Sequence, residues 1–93
     1  EIINIEPILK IFKGTLNPKT NIQVGNIAAR IRMTILYHKP SEYNALVLGT
    51  GDKSELLLGY FTKYGDGGVD ILPIGDIYKT QLRKFAEYLG IPR

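Results

Sequence analysis

The sequence lacks cysteine, contains a single histidine and has no long hydrophobic run. Without cysteine, this chain has no disulfide bond, no cysteine-rich zinc site and no thiol nucleophile. No apolar stretch approaches the roughly 20 residues of a membrane span, and the opening residues EIINIEPILK are too acidic for a signal peptide. We therefore expect a soluble, cytoplasmic protein without a membrane partner.

A strong excess of one charge is also missing. The 12 basic and 9 acidic residues give a net charge of +3, and the basic residues are scattered, with no run longer than two. A dedicated nucleic-acid-binding protein concentrates its basic residues on one face, so we expect no nucleic-acid partner. The 93 residues, 44% hydrophobic and 23% charged, suit one small globular domain with a thin core. Such a domain usually depends on more chain or on another subunit.

The first half of the chain predicts two helices and two strands. Residues 1–7 alternate enough for a short strand that ends at Pro7, and a short helix closed by Gly14 follows. From residue 21 to about residue 39 apolar residues recur at helical spacing, and Pro40 is expected to end that helix. The continuous apolar run NALVLGT, residues 44–50, is typical of a strand covered on both faces in a parallel sheet.

The second half continues the alternation of helices and apolar segments. A short helix is predicted from near Asp52 to Gly59, and ILPIGD, residues 71–76, is a second apolar stretch. IYKTQLRKFAEYLG, residues 77–90, is the clearest helix, and Gly90 supplies its stop. Alternating helices and apolar strands indicate the α/β class.

The sequence GTGDKSE lies between a predicted strand and a predicted helix, where open parallel sheets bind ligands. It lacks the spacing of a Walker A motif. Two interpretations remain open from the residues alone. In one, Thr50 or Asp52 caps the helix and Glu55 supports its first turn. In the other, Thr50 contacts a nucleotide and Glu55 holds a magnesium ion bound to the phosphates.

Several single residues also admit two interpretations. Arg30 lies away from the apolar stripe of its helix, so it is either solvated or directed across an interface. Gly25, in mid-helix, costs about 1 kcal/mol relative to alanine, which suggests close approach by another backbone. Lys79 is poorly placed for the helix dipole unless an anion lies nearby. His38 is interpreted as a C-terminal cap without a chemical role.

The loop YFTKYGDGGVD, residues 60–70, combines Lys63, two acids and three glycines beside three aromatic rings. The pair Gly67-Gly68 permits positive φ, which would fold the backbone tightly and turn side chains inward. Asp66 and Asp70 can then point the same way or hydrogen-bond amides of the loop. The alternative is a structured turn in which Asp66 bonds its own backbone.

Three stretches resemble the central part of ammonia-dependent NAD synthetase: GNIAARIRM, LVLGTGDKSELLLGYFTKYGDGGVDILPIGD and IYKTQLRKFAEYLGIP. The resemblance runs from about Gly25 to Pro92 and implies a Rossmann-like parallel sheet with flanking helices, of the adenine-nucleotide α-hydrolase-like type, in a homodimer. In this family ATP adenylylates the nicotinate carboxylate of deamido-NAD and releases pyrophosphate. Ammonia then displaces AMP and leaves NAD.

The resemblance also implies binding roles for single residues, and it leaves the catalytic residues unassigned. It implies ATP contacts by Thr50 and Lys79, a magnesium ligand in Glu55, and deamido-NAD contacts by Arg30, Lys63 and Asp70. Asp66 is a weaker candidate for positioning or deprotonating ammonium.

Two parts of the family's pattern are missing from these 93 residues: the Ser-Gly-Gly-x-Asp-Ser phosphate loop and the C-terminal segment that completes both nucleotide sites. Residues 1–93 therefore correspond to the central part of a synthetase domain, and we expect this chain alone to have no synthetase activity. The alternatives are a non-catalytic dimerisation or nucleotide-binding fragment, and a related ATP-pyrophosphatase such as a GMP-synthetase-like amidotransferase. The absence of cysteine fits free ammonia as the nitrogen donor.

Overall fold

The computed structural model describes residues 1–92, which form four helices connected by extended segments and turns. These helices are α1 (Glu6–Leu16), α2 (Asn21–Tyr43), α3 (Lys53–Leu58) and α4 (Lys79–Tyr88). The predictions for α3 and α4 are confirmed. None of the helices in the described part of the chain is both long and apolar enough to cross a membrane.

Helix α1 begins earlier and ends later than the sequence pattern predicted. The predicted strand over residues 1–7 is wrong, because the helix starts at Glu6 and includes Pro7 in its first turn. Proline is tolerated there because the N–H groups of the first turn have no partner within the helix. Gly14 lies inside the helix. The end comes at Asn17, which adopts a left-handed conformation with φ 52° and donates its N–H to the carbonyl of Lys13.

Helix α2 passes through Pro40, so the prediction that this proline ends the helix is wrong. Thr20 caps the start by accepting a hydrogen bond from the N–H of Gln23 at 3.2 Å. Proline leaves the carbonyl four residues earlier without its helical donor, but that residue, Leu36, is exposed to water. The helix ends at Asn44, with φ 51°.

His38 therefore does not cap the helix, and that prediction is also wrong. It lies one turn before the end of α2, where its Nε2 is 3.1 Å from Glu42 Oε1. Both side chains are exposed, so this pair contributes little to stability.

The two apolar segments predicted to be strands pair at one point only. Leu48 and Ile71 form a parallel bridge, in which the N–H of Gly49 donates to the carbonyl of Ile71 at 2.7 Å. This bridge is the only β pairing among the described residues, so they do not by themselves form the expected Rossmann-like sheet. Val47 is buried whereas its neighbours Leu46 and Leu48 are exposed, because one side of the segment has no partner here.

The core is small and lies between α1 and α2. It consists of three buried residues with four partly buried ones packed against them: Leu9, Ala28 and Ile31, with Ile5, Val24, Ile27 and Ile35. A Cβ at Gly25 would meet no atom within 4 Å. The close backbone approach predicted at this glycine is therefore not made by the described residues.

Candidate functional site

A reciprocal cap joins Asp52 and Glu55 at the start of α3. Asp52 Oδ1 accepts a hydrogen bond from the N–H of Glu55 at 3.0 Å, and Glu55 Oε1 accepts one from the N–H of Asp52 at 3.0 Å. This capping box satisfies N–H groups that would otherwise lack partners. The capping interpretation of Asp52 is confirmed, and it fixes the orientation of both carboxylates.

The ammonium of Lys79 lies between the same two carboxylates. Its Nζ is 2.9 Å from Asp52 Oδ2 and 3.5 Å from Glu55 Oε1. The main chain holds the two helix starts together, because the N–H of Lys79 donates to Ser54 Oγ at 3.1 Å and the N–H of Lys53 donates to the carbonyl of Ile77 at 3.0 Å. An anion that makes Lys79 favourable at a helix start is therefore present.

Asp52 is fully buried and is the only polar or charged residue of the described chain with that degree of burial. Its Oδ2 has no well-aligned hydrogen-bond donor, so the short ion pair with Lys79 is what compensates its charge. The Lys79 ammonium, followed by the N–H of Glu55, lowers the pKa of Asp52. Asp52 in turn raises the pKa of Lys79.

A second group of contacts joins α2 to the glycine-rich loop. The Nε–H of Arg30 donates to the main-chain carbonyl of Lys63 at 3.0 Å. One turn earlier on the helix, Asn26 Oδ1 accepts a hydrogen bond from Thr62 Oγ1 at 2.9 Å. The Lys63 side chain instead lies over the ring of Tyr64, with Nζ 5.1 Å from its centroid. Arg30 thus contacts the loop through the backbone of Lys63.

Within the loop, Asp66 acts as a structural acceptor. Its Oδ1 accepts a hydrogen bond from the N–H of Thr62 at 2.7 Å, as expected for a structured turn. Gly67 and Gly68 do not use the positive φ that glycine permits; in this loop Tyr64 is the residue with positive φ, at 60°. Gly67 is required for space instead, since a Cβ there would lie 2.5 Å from Phe61 Cδ2.

Asp70 connects three parts of the chain. Its Oδ2 accepts a hydrogen bond from the N–H of Val47 at 2.8 Å, and its Oδ1 accepts one from the hydroxyl of Tyr37 on α2 at 3.2 Å. Burial raises the pKa of Tyr37, and the contact with Asp70 raises it further. Sequence reasoning missed Tyr37, because no local pattern relates residues 33 positions apart.

A groove of about 620 Å³ runs between α2 and the start of the loop. Polar side chains of Asn26, Glu55, Thr62 and Asp66 line it, together with the rings of Tyr60 and Phe61. The remaining predicted site residues do not line this groove. Asp52, Glu55 and Lys79 form a cluster at the starts of α3 and α4, here called the α3–α4 cluster. Glu55 is the predicted site residue that connects this cluster to the groove beside the loop.

The six predicted site residues therefore fall into separate groups of contacts. Glu55 and Lys79 are in contact, and Thr50 is exposed two residues before Asp52. Arg30 contacts the main chain at Lys63, whereas Asp70 is held by other partners. Among residues 1–92 no group of three or more histidines or carboxylates could hold a metal ion.

Known proteins resemble this chain over its whole length. The sequence profile of the NAD synthase family matches residues 1–93. The NH(3)-dependent NAD(+) synthetase of Sulfurisphaera tokodaii is 60% identical over 90 residues, which is 97% of this chain and 32% of that protein. The enzyme of the same description from Saccharolobus solfataricus is 58% identical over 92 residues, 99% of this chain and 33% of that protein. The chain spans about a third of the length of these curated relatives.

Solved structures give the same result for the fold. An NH3-dependent NAD synthetase from Campylobacter jejuni, in complex with nitrate, superposes with a TM-score of 0.93 at 47% identity, over 96% of this chain and 39% of that one. An NMN synthetase from Francisella tularensis superposes with a TM-score of 0.89 at 40% identity, over 97% of this chain and 38% of that one. The described residues therefore follow the path that the corresponding segment takes in these larger proteins.

Proposed function

Because the chain belongs to the NAD synthase family, we propose that it is the ATP-handling part of a ligase that amidates deamido-NAD with ammonia. The products are NAD, AMP and pyrophosphate, formed through an acyl-adenylate. The observation that carries this proposal is the convergence of Lys79 and Glu55 on the N-terminus of α3, beside Asp52. The relatives of this chain, described as NH(3)-dependent NAD(+) synthetases, support the choice of reaction.

Lys79 is suited to stabilise the phosphates of ATP. Negative charge develops on the α-phosphate and on the departing pyrophosphate during adenylylation, and a fixed ammonium stabilises that charge. Lys79 is held at 2.9 Å from Asp52, yet its side chain remains 45% exposed. The ammonium is therefore oriented by protein and still open to a ligand. Thr50 is exposed at the end of the apolar segment and is proposed as a further ATP contact.

Glu55 is the residue we propose as a magnesium ligand. Magnesium takes one or two protein carboxylates and fills its other positions with water and phosphate oxygens, so a single carboxylate is a sufficient contribution from this part of the chain. Glu55 Oε1 is engaged by the N–H of Asp52, which leaves Oε2 for the ion. When bound, the ion would neutralise phosphate charge. The reciprocal hydrogen bonds with Asp52 orient the Glu55 carboxylate.

Arg30, Lys63 and Asp70 are proposed to bind deamido-NAD. Arg30 keeps its terminal guanidinium nitrogens for a ligand, because the loop carbonyl engages Nε. Lys63 contributes an exposed ammonium, and Asp70 lies where α2 meets the extended segment. A homodimer and a completed parallel sheet are part of the proposal, since many large apolar side chains are exposed in the described chain. A cytoplasmic location remains a prediction.

The test is a reaction of the complete encoded protein with ATP, magnesium, ammonium and deamido-NAD. We expect NAD and AMP in equal amounts, measured by chromatography with mass detection. Lys79→Met and Glu55→Gln should each lower kcat/KM for ATP by a factor of about 100 or more, as expected when transition-state charge loses a partner. Lys84→Met, an exposed lysine on the same helix, is the matched control and should behave as the parent.

Three other outcomes would replace the proposal. Preferred turnover of the deamido form of NMN would assign the chain to a mononucleotide-amidating enzyme, and the similarity to the Francisella tularensis protein is the reason to offer that acceptor. Binding of ATP with no turnover of any acceptor would support a non-catalytic nucleotide-binding module. A GMP-synthetase-like enzyme would instead amidate xanthosine monophosphate.

A further inference from the structure

Asp52 lies at the centre of the α3–α4 cluster without being one of the residues assigned to a ligand. Its two carboxylate oxygens have different partners: Oδ1 accepts from the N–H of Glu55 at 3.0 Å, and Oδ2 lies 2.9 Å from Lys79 Nζ. One side chain therefore contacts both a proposed magnesium ligand and a proposed ATP contact. Asp52 is itself fully buried, so no ligand can reach it.

We propose that Asp52 is a positioning residue, which holds the Lys79 ammonium in the place where it meets ATP; this inference rests on the proposed function. The cap fixes the Asp52 side chain, because Oδ1 is tied to the first turn of α3. The remaining oxygen then points to one place, and Lys79 occupies it. A lysine side chain is flexible and loses side-chain entropy when it is held in one conformation. A buried, pre-oriented carboxylate lowers that penalty before ATP arrives.

Glu55 could not perform this role alone. Its contact with Lys79 is longer, 3.5 Å, and its carboxylate is partly exposed, so water competes for it. A magnesium ion bound at Glu55 Oε2 would also draw negative charge away from Oε1, the oxygen that faces Lys79. Asp52 is buried away from water and from the ion, and no group other than Lys79 compensates the charge at its Oδ2. The ammonium is therefore held more strongly by Asp52.

The variant that isolates this role is Asp52→Asn. The amide oxygen keeps the cap on Glu55, since asparagine is as good an N-cap as aspartate. The amide nitrogen, however, would present N–H donors to the Lys79 ammonium, which is itself only a donor. The helix start is thereby preserved while the attraction for Lys79 is lost. Asp52→Ser, which also caps, is the second variant if the asparagine variant does not fold.

The readout is equilibrium binding of ATP to the complete protein by calorimetry, with and without magnesium. Asp52→Asn should raise the dissociation constant for ATP about tenfold, as for the loss of one charged hydrogen bond, in a protein that remains folded at the temperature of the measurement. Asp76→Asn removes the same charge from an exposed residue three positions before Lys79, and it should leave ATP binding unchanged.

A double variant separates positioning from general stability. In a Lys79→Met background, Asp52→Asn should have no further effect on the dissociation constant, because Asp52 acts through Lys79. Equal and additive losses in both backgrounds would overturn the inference, as would unchanged ATP binding in Asp52→Asn. If the parent binds ATP and shows this coupling but does not amidate deamido-NAD, the proposed function fails and the positioning role stands. A parent protein that binds no ATP would overturn both.

Discussion

Arg30, on α2, donates its Nε–H to the main-chain carbonyl of Lys63, 33 positions later in the chain, at 3.0 Å. The bond connects a long helix to a loop without using the side chain of Lys63. Arg30 therefore holds the backbone of the loop in place, in addition to any contact that its terminal nitrogens make with a ligand.

Arg30→Lys should loosen this loop. Lysine has a single ammonium on a flexible stem and cannot hold a carbonyl with one nitrogen while presenting two others. We expect KM for deamido-NAD to rise about tenfold, the effect of one lost charged hydrogen bond, and amide exchange at residues 62–68 to become faster. Arg32→Lys, two residues along the same helix, is the control. Unchanged exchange in Arg30→Lys would show that the bond does not restrain the loop.

Gly67→Ala should destabilise the protein because the new methyl group meets the ring of Phe61. A Cβ at this position would lie 2.5 Å from Cδ2 and 2.8 Å from Cε2 of that ring, and overpacking of this kind costs about 1–3 kcal/mol. Gly14→Ala is the opposite case, since a Cβ at Gly14, inside α1, would meet no atom within 4 Å. It should raise the free energy of unfolding by about 0.5–1 kcal/mol. Urea denaturation measures both, and equal effects of the two substitutions would contradict the packing argument.

Asp70→Asn should lower the pKa of Tyr37, but only in part. Burial is the largest single cause of the raised pKa of the Tyr37 hydroxyl, and the hydrogen bond to the Asp70 carboxylate and its negative charge add to it. Removing the charge leaves burial unchanged, so the pKa should stay above its ordinary value of 10.0. Carbon-13 NMR of labelled tyrosine over a pH titration measures the shift, with Asp66→Asn as the control for a lost loop carboxylate. No change in Asp70→Asn would show that the two side chains are not in contact in solution.

The ion pair of Asp52 and Lys79 should make stability depend on pH at both ends of the scale. The pKa of Asp52 is lowered from 3.8, so its contribution is complete above that value and is lost as pH falls through the lower folded pKa. The pKa of Lys79 is raised from 10.5, so its contribution is complete below that value and is lost as pH rises through the higher folded pKa. Melting temperatures of Asp52→Asn should therefore fall less steeply in acid than those of the parent. Melting temperatures that fall equally steeply in acid for Asp52→Asn and for the parent would contradict this assignment.

The 93-residue chain by itself should not make NAD. It lacks the family's phosphate loop, and the residues that the structure describes form only one β bridge. Incubation with ATP, magnesium, ammonium and deamido-NAD, followed by mass-spectrometric detection of NAD, measures this directly. NAD above the level of a Lys79→Met control would show that a third of the length of the relatives suffices for the reaction.

Features set by short-range contacts were predictable from the sequence. Asp52 and Gly59 bound α3 as expected, because a cap or a left-handed stop depends on residues within one turn of the helix. That an anion near Lys79 would be favourable was predictable from the position of this lysine at a helix start. The motif around residues 60–70 likewise pointed to the family, since the whole motif is contiguous in the chain.

Other features depend on the path of the chain through space. The sequence alone determined the helix-forming segments, the caps of α3 and the family, because each is encoded by neighbouring residues. Only the tertiary structure decided that Asp52 is buried against Lys79, that Tyr37 holds Asp70 and that the apolar segment 44–50 pairs at a single bridge. A strand forms only when neighbouring strands pair with it, and a buried charge is stable only when a partner distant in sequence compensates it. Neither is therefore determined by local sequence.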